Sequence, residues 1–236
     1  MKLVINADDF GYTRGNTEGI LEGYRKGIVR STTALCNMPW LEYGRDLAKD
    51  CPGLGIGVHL TLTLGRSLTG VKSFTDAQGN FLSKKGIGSA VLDMEEVYDE
   101  WKAQIERYIQ VFGHRPTHLD SHHHVHILNE NNKKVAMRLG EEYGVFVRCC
   151  GPYEFVSGFY GPSATEEHLL EILEKHKGNN IEIMVHPGFC DLELYRISSY
   201  NTHRVQELSI LCSRKVLEYV EKNQIQLTHY EPVEKG

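Results

Sequence analysis

The chain has 236 residues, a net charge of −5 and a predicted pI near 6.2, with none of the basic footprint of a nucleic-acid binder. Hydrophobic residues make up 41% of it, enough for a full core, yet no apolar run approaches membrane-spanning length. A strand-like run begins directly after Met1-Lys2, so no signal peptide is expected; the six cysteines show no C-x-x-C pairing and are expected to be reduced thiols in a cytoplasmic, single-domain protein over 1–236.

Leu3-Val4-Ile5 is a short apolar run followed by Asn6-Ala7-Asp8-Asp9-Phe10-Gly11. Such a run reads as a buried strand. Two carboxylates at its end are costly unless something cationic compensates them. Neighbours on a strand point oppositely, so both reach one site only where the chain turns. Arg14 to Lys26 reads as a helix with Ile20, Leu21 and Tyr24 inward. Ile28 to Cys36 is expected to be a strand, Leu41 to Lys49 a short helix, and Leu54 to Thr63 a strand carrying His59 among apolar neighbours. Gly65 to Gly88 reads as a long loop. From Asp93 to Phe112, Val97, Trp101, Ile105, Tyr108 and Phe112 recur at helical spacing, and Gly113 closes the helix.

Pro116 to His126 reads P-T-H-L-D-S-H-H-H-V-H, with five histidines among 11 residues. Neutral imidazole is the commonest protein ligand for a transition metal. If the stretch is extended, Asp120, His122, His124 and His126 share one face. A helix is expected over Asn129 to Tyr143, then a strand over Val145 to Cys150 carrying Arg148. The loop Gly151 to Ser163 holds Tyr153, Phe155, Phe159 and Tyr160, which either stack on sugar rings or fold onto the core. Thr165 to Lys177 reads as a helix, Ile181 to Val185 as a strand ending in His186, Asn201 to Asn223 as one long helix, and Ile225 to Tyr230 as a closing strand.

Strands alternate with helices throughout, which predicts a parallel sheet of α/β class, close to a (β/α) barrel. Asp8, Asp9, His59, His122, Arg148 and His186 all fall within or at the ends of predicted strands. In such barrels that end carries the active site. One carboxylate and two histidines can hold a metal with open positions. A second carboxylate can take a proton from water, and a histidine opposite can protonate a leaving group. Together these parts make a metal-assisted hydrolase. Three other readings stay open: a non-haem iron oxygenase, a glycosidase with Asp8 or Asp9 as one of two carboxylates, and a sugar- or metal-binding protein without turnover.

The motifs N-A-D-D-F-G (6–11), G-V-H-L-T-L-T (57–63), T-H-L-D-S-H-H-H-V-H (117–126) and H-P-G (186–188) resemble those of the YdjC-like carbohydrate deacetylases. S-T-T-A-L (31–35) and G-F-Y-G (158–161) are similar too, and the resemblance covers nearly the whole chain. It implies a distorted (β/α) barrel related to NodB-type polysaccharide deacetylases. The implied substrate is an acetylated oligosaccharide, such as diacetylchitobiose or its phosphorylated form. One divalent ion, Mg²⁺ or Zn²⁺, and a homodimer are also implied. By motif position, Asp9, His59 and His122 correspond to metal ligands, Asp8 to the general base and His186 to the general acid. Arg148 corresponds to a group that orients Asp8 or binds substrate. Gly188 departs from relatives with another small residue there.

Overall fold

The apolar run after Met1 becomes β1 (Lys2–Phe10), buried from Leu3 onward, in the computed structural model, which describes residues 1–231 and 233. Seven further strands follow: β2 (Ser31–Ala34), β3 (Gly55–Leu60), β4 (His118–Ser121), β5 (Phe146–Val147), β6 (Glu154–Val156), β7 (Ile181–Val185) and β8 (Gln226–Thr228). All pair in parallel, in the order β5-β4-β3-β2-β1-β7-β6, with β8 alongside the start of β1. Parallel neighbours require crossovers. These are supplied by α1 (Arg14–Lys26), α2 (Leu41–Ala48), α3 (Lys84–Ser89), α4 (Met94–Phe112), α5 (Glu130–Tyr143), α6 (Glu166–Lys175), α7 (Leu192–Ile197), α8 (Thr202–Leu211) and α9 (Arg214–Lys222). Among the described residues β5 and β6 share no ladder, so the barrel stays open between them. This is the distorted barrel that the family resemblance implies.

The clearest periodicity is also the best-buried helix. Val97, Trp101, Ile105 and Tyr108 of α4 are fully covered, and Gly113 ends it in the left-handed conformation. Each such side chain contributes about 1.5–3 kcal/mol of burial. The expected helix over 201–223 is instead two. It breaks at Cys212-Ser213, where the Ser213 hydroxyl caps α9 by accepting from the Val216 N–H. The loop expected over 151–163 contains β6, and α7 lies where no element was expected. Tyr153 and Phe159 of that loop are buried, while Tyr160 is exposed.

Two departures from ideal strands position the site. The β1–β2 register slips between Ala7 and Phe10, and Asp9 has φ 73°. That bulge re-aims one residue, so Asp8 and Asp9 reach the same end of the barrel although they are adjacent. The histidine-rich stretch is not extended beyond Ser121. It turns into a 3-10 segment, His122–Ile127, with His123 and His124 at φ 56° and 58°. The alternating face of Asp120, His122, His124 and His126 therefore does not form.

Close approach fixes the H-P-G segment. A Cβ on Gly19 of α1 would sit 2.3 Å from the Phe189 nitrogen, and one on Gly188 would sit 2.4 Å from Asn16 Oδ1. The Gly188 N–H donates to the Arg204 carbonyl and the Phe189 N–H to that of Gly15. Glycine at 188 suits how tightly this segment lies on α1.

Candidate metal centre and active site

Six residues singled out in the sequence meet at the C-terminal end of the barrel. Asp8 and Asp9 come from β1, His59 from β3, and His122 directly follows β4. Arg148 directly follows β5 and His186 directly follows β7. Asp8, Asp9, His59, His122 and His186 line a cavity of about 550 Å³. Arg148 lies behind it, fully buried.

Donor atoms of Asp9, His59 and His122 lie within 4.8 Å of one another. Asp9 Oδ1 is 2.8 Å from His122 Nδ1 and 3.3 Å from His59 Nε2. His59 Nδ1 lies 2.7 Å from Asp120 Oδ1, and Asp120 Oδ2 accepts from Thr33 Oγ1 at 3.0 Å. A carboxylate behind Nδ1 fixes the tautomer and leaves Nε2 directed at the other donors, the usual bracing of a metal-binding histidine. Two imidazoles and one carboxylate make a donor set that a divalent transition metal fits. A second cluster, Asp8, His59 and Asp120, also converges. There the Arg148 guanidinium already occupies the shared space, 2.7 Å from Asp8 and 2.8 Å from Asp120. The cation needed by those carboxylates is part of the chain, so the first cluster is the better fit.

Charge is distributed unequally around these groups. Arg148 holds Asp8 in a two-pronged pair, Nη1 to Oδ2 at 2.9 Å and Nη2 to Oδ1 at 2.7 Å, and donates from Nε to Glu182 at 2.8 Å. Burial opposes the Asp8 charge, but Arg148 holds the carboxyl well below its ordinary range. Asp9 is likewise lowered against burial, by His122 and by Arg204, whose Nη2 donates to Asp9 Oδ2 at 2.6 Å. Burial lowers His59, but Asp120 and Asp8 outweigh it and push it up to about 10, so a cation bound there would have to displace that proton. Burial holds His186 down at about 4 despite the pull of Asp8.

The description "YdjC-like protein" belongs to a family model that matches residues 2–222. The chain belongs to this family. A carbohydrate deacetylase of Clostridium beijerinckii is 36% identical over 99% of this chain and all of its own. A chitooligosaccharide deacetylase of Yersinia enterocolitica is 36% identical, covering 97% of each chain. A crystal structure from Enterococcus faecalis, provisionally described as a cellobiose-phosphate cleavage protein, is 37% identical, covers 97% of each chain and superposes with a TM-score of 0.92. A family 4 carbohydrate esterase of Streptomyces lividans shares the fold at 12% identity, with a TM-score of 0.54 and coverage of 95% and 90%.

Within this YdjC-like chain, the other motif histidines separate by environment. His126 is buried, its Nδ1 2.5 Å from the Ser121 hydroxyl and its Nε2 3.3 Å from the Arg148 carbonyl. Burial lowers it to about 3. His118 is buried and stacks on Tyr230 at 4.3 Å. Both act as neutral packing groups. His123 and His124 face the cavity, held there by their left-handed backbone. Such conformations cost about 1 kcal/mol or more each and cluster at functional sites.

Several site residues carry no mark of their role in the sequence. Asp120 stands among the histidines, but its place behind His59 is visible only in the fold. Arg204, Glu207 and Tyr200 lie in or next to what reads as an ordinary helix. Arg204 pairs with Asp9, and Tyr200 is sandwiched between Tyr160 at 4.4 Å and His203 at 5.0 Å. A buried arginine in the first turn of α8 leaves no local mark in the sequence, since its partner lies 195 residues away.

Proposed function

We propose that this protein is a metal-dependent carbohydrate deacetylase that hydrolyses N-acetyl groups of short oligosaccharides. The observation that carries this reading is the Asp9–His59–His122 cluster with Asp8 and His186 beside it on one cavity. The names of the relatives support the chemistry and the sugar class. The nitrogen-rich donor set favours Zn²⁺ over Mg²⁺, since imidazole suits zinc and Mg²⁺ prefers oxygen.

A divalent ion held by Asp9, His59 and His122 would polarise the acetyl carbonyl and lower the pKa of a water there. Asp8 would take that water's proton. Its ionised form is secured by Arg148, which also fixes the direction of its oxygens. His186 is neutral at rest, so the proton it would deliver to the departing nitrogen is the one Asp8 takes from water, passed on to His186 during turnover. Arg204 holds the second Asp9 oxygen, which keeps the first directed at the histidines.

A glycosidase needs one carboxyl group kept protonated near neutral pH. Asp8 and Asp9 are both held ionised, which argues against that chemistry. The name of the Enterococcus relative favours a phosphorylated disaccharide as one substrate, and Lys84 on the cavity wall supplies a cation of the right sign. The deciding assay measures acetate released from diacetylchitobiose, with and without EDTA, and the product masses. Acetate loss that EDTA abolishes is expected, with the glycosidic bond intact. Shortened sugars without acetate would contradict the reading.

A further inference from the structure

We propose that Glu207 is a positioning residue for His186: one buried carboxylate holds the His186 main chain and the aromatic wall beside its ring. This rests on the reading of His186 as the acid that serves the leaving nitrogen.

Glu207 lies on α8, fully buried and away from the cavity lining. Its Oε2 accepts from the His186 backbone N–H at 2.5 Å, and its Oε1 accepts from the Tyr200 hydroxyl. The Tyr200 oxygen in turn accepts from the Gly161 N–H at 2.9 Å. Through these bonds a single side chain joins the end of β7, the segment before α8 and the loop after β6. All three segments bear on the same ring. Tyr160 and Tyr200 stack on each other at 4.4 Å, and both meet His186 edge-on, at 5.4 and 5.5 Å.

The His186 ring needs such outside support. Its Nδ1 is buried and has no hydrogen-bond partner among the described residues. Catalytic histidines are ordinarily oriented by a group bonded to the second ring nitrogen. Among the described residues nothing bonded to the ring sets its direction, so the main chain and the two tyrosine edges do. Glu207 fixes the main chain and one of those tyrosines directly. Among the described residues it makes no ion pair, so its buried carboxylate is accounted for by these two hydrogen bonds.

The role requires hydrogen-bonding atoms rather than charge. Glutamine supplies an acceptor for the His186 N–H and a donor that the Tyr200 oxygen can accept. Leucine supplies neither. The test uses the full chain loaded with Zn²⁺, with kcat and KM for acetate release and the ¹⁵N signals of the His186 imidazole, assigned with His186→Ala. Glu207→Gln is expected to keep kcat within about threefold and to keep the His186 signals. Glu207→Leu is expected to lower kcat by about 10- to 100-fold at nearly constant KM and unchanged metal content, with the His186 signals shifted or broadened. If Glu207→Leu does not fold, Tyr200→Phe carries the test, with a kcat loss of about three- to tenfold and the same direction of change in the His186 signals. Equal damage from glutamine and leucine would overturn the proposal, because charge would then matter. Unchanged kcat and His186 signals in Glu207→Leu, or in Tyr200→Phe where leucine fails to fold, would overturn it as well. If the parent releases no acetate, the deacetylase reading fails on its own, and the imidazole signals still decide whether Glu207 fixes the ring.

Discussion

The two sides of the cavity are built from different materials. On one side, Arg148 after β5 joins Asp8 of β1, Asp120 of β4 and Glu182 of β7 in a buried charge network, and Tyr230 closes it by donating to Glu182 at 2.6 Å. On the β7–α8 side, His186 rests against stacked tyrosines, and its neighbouring carboxylate makes hydrogen bonds instead of ion pairs. The difference is one of consequence. Charge networks hold protonation states fixed, as Arg148 keeps Asp8 ionised. Aromatic walls hold shape, and burial beside them keeps His186 neutral at rest. A hydrolase of the kind proposed needs both, one on each side of the scissile bond.

If the contrast is real, removing the central cation should do the most damage. Arg148→Met leaves three buried carboxylates facing one another, and the expected loss is about 3–5 kcal/mol or more. Arg204→Met removes a cation from Asp9 alone and should cost clearly less. Urea unfolding of the two variants checks the order, and equal losses would erase the contrast. The next effect is on metal affinity. Asp120→Asn keeps the shape behind His59 but weakens its bracing, so Zn²⁺ affinity should fall about 10- to 100-fold, read by competition with a chelating dye. Affinity within twofold of the parent would sever Asp120 from the centre.

The smallest effect belongs to the aromatic side. Burial raises Glu207 from an ordinary 4.5 to about 7. Between those values the folded state binds more protons than the unfolded, so this group's contribution to stability falls as pH rises from about 4.5 to 7 and is flat above. Glu207→Gln should lack that fall. Melting temperatures of parent and variant from pH 5 to 8 should therefore diverge with rising pH, in favour of the variant. Parallel curves would mean that Glu207 is not perturbed.

How much of this was legible depended on distance along the chain. The helix at 94–112 and the parallel alternation follow from local periodicity, and both formed. Asp8, Asp9, His59, His122, Arg148 and His186 stood out as polar interruptions at strand ends, and the barrel brings them together because parallel strands all end at one rim. The shared face of the histidine stretch was wrong because alternation holds only while the backbone is extended, and His123 and His124 leave that region. The bulge at Asp9 has no sequence mark, since adjacent aspartates look the same on either backbone. Arg204 acts on Asp9, 195 residues away, and Glu207 on the His186 main chain at the end of another strand, contacts that no helical or strand periodicity encodes.

The central claim is the division of labour between adjacent aspartates, Asp9 for the metal and Asp8 for the proton. Metal content and kcat of Asp8→Asn and Asp9→Asn, measured side by side, test it most directly. Asp8→Asn should retain Zn²⁺ and turn over about a hundred- to ten-thousand-fold more slowly, the usual cost of losing a general base. Asp9→Asn should lose the metal, with activity following it. An Asp8→Asn variant without metal beside an Asp9→Asn variant that keeps it would contradict the account and exchange the two roles.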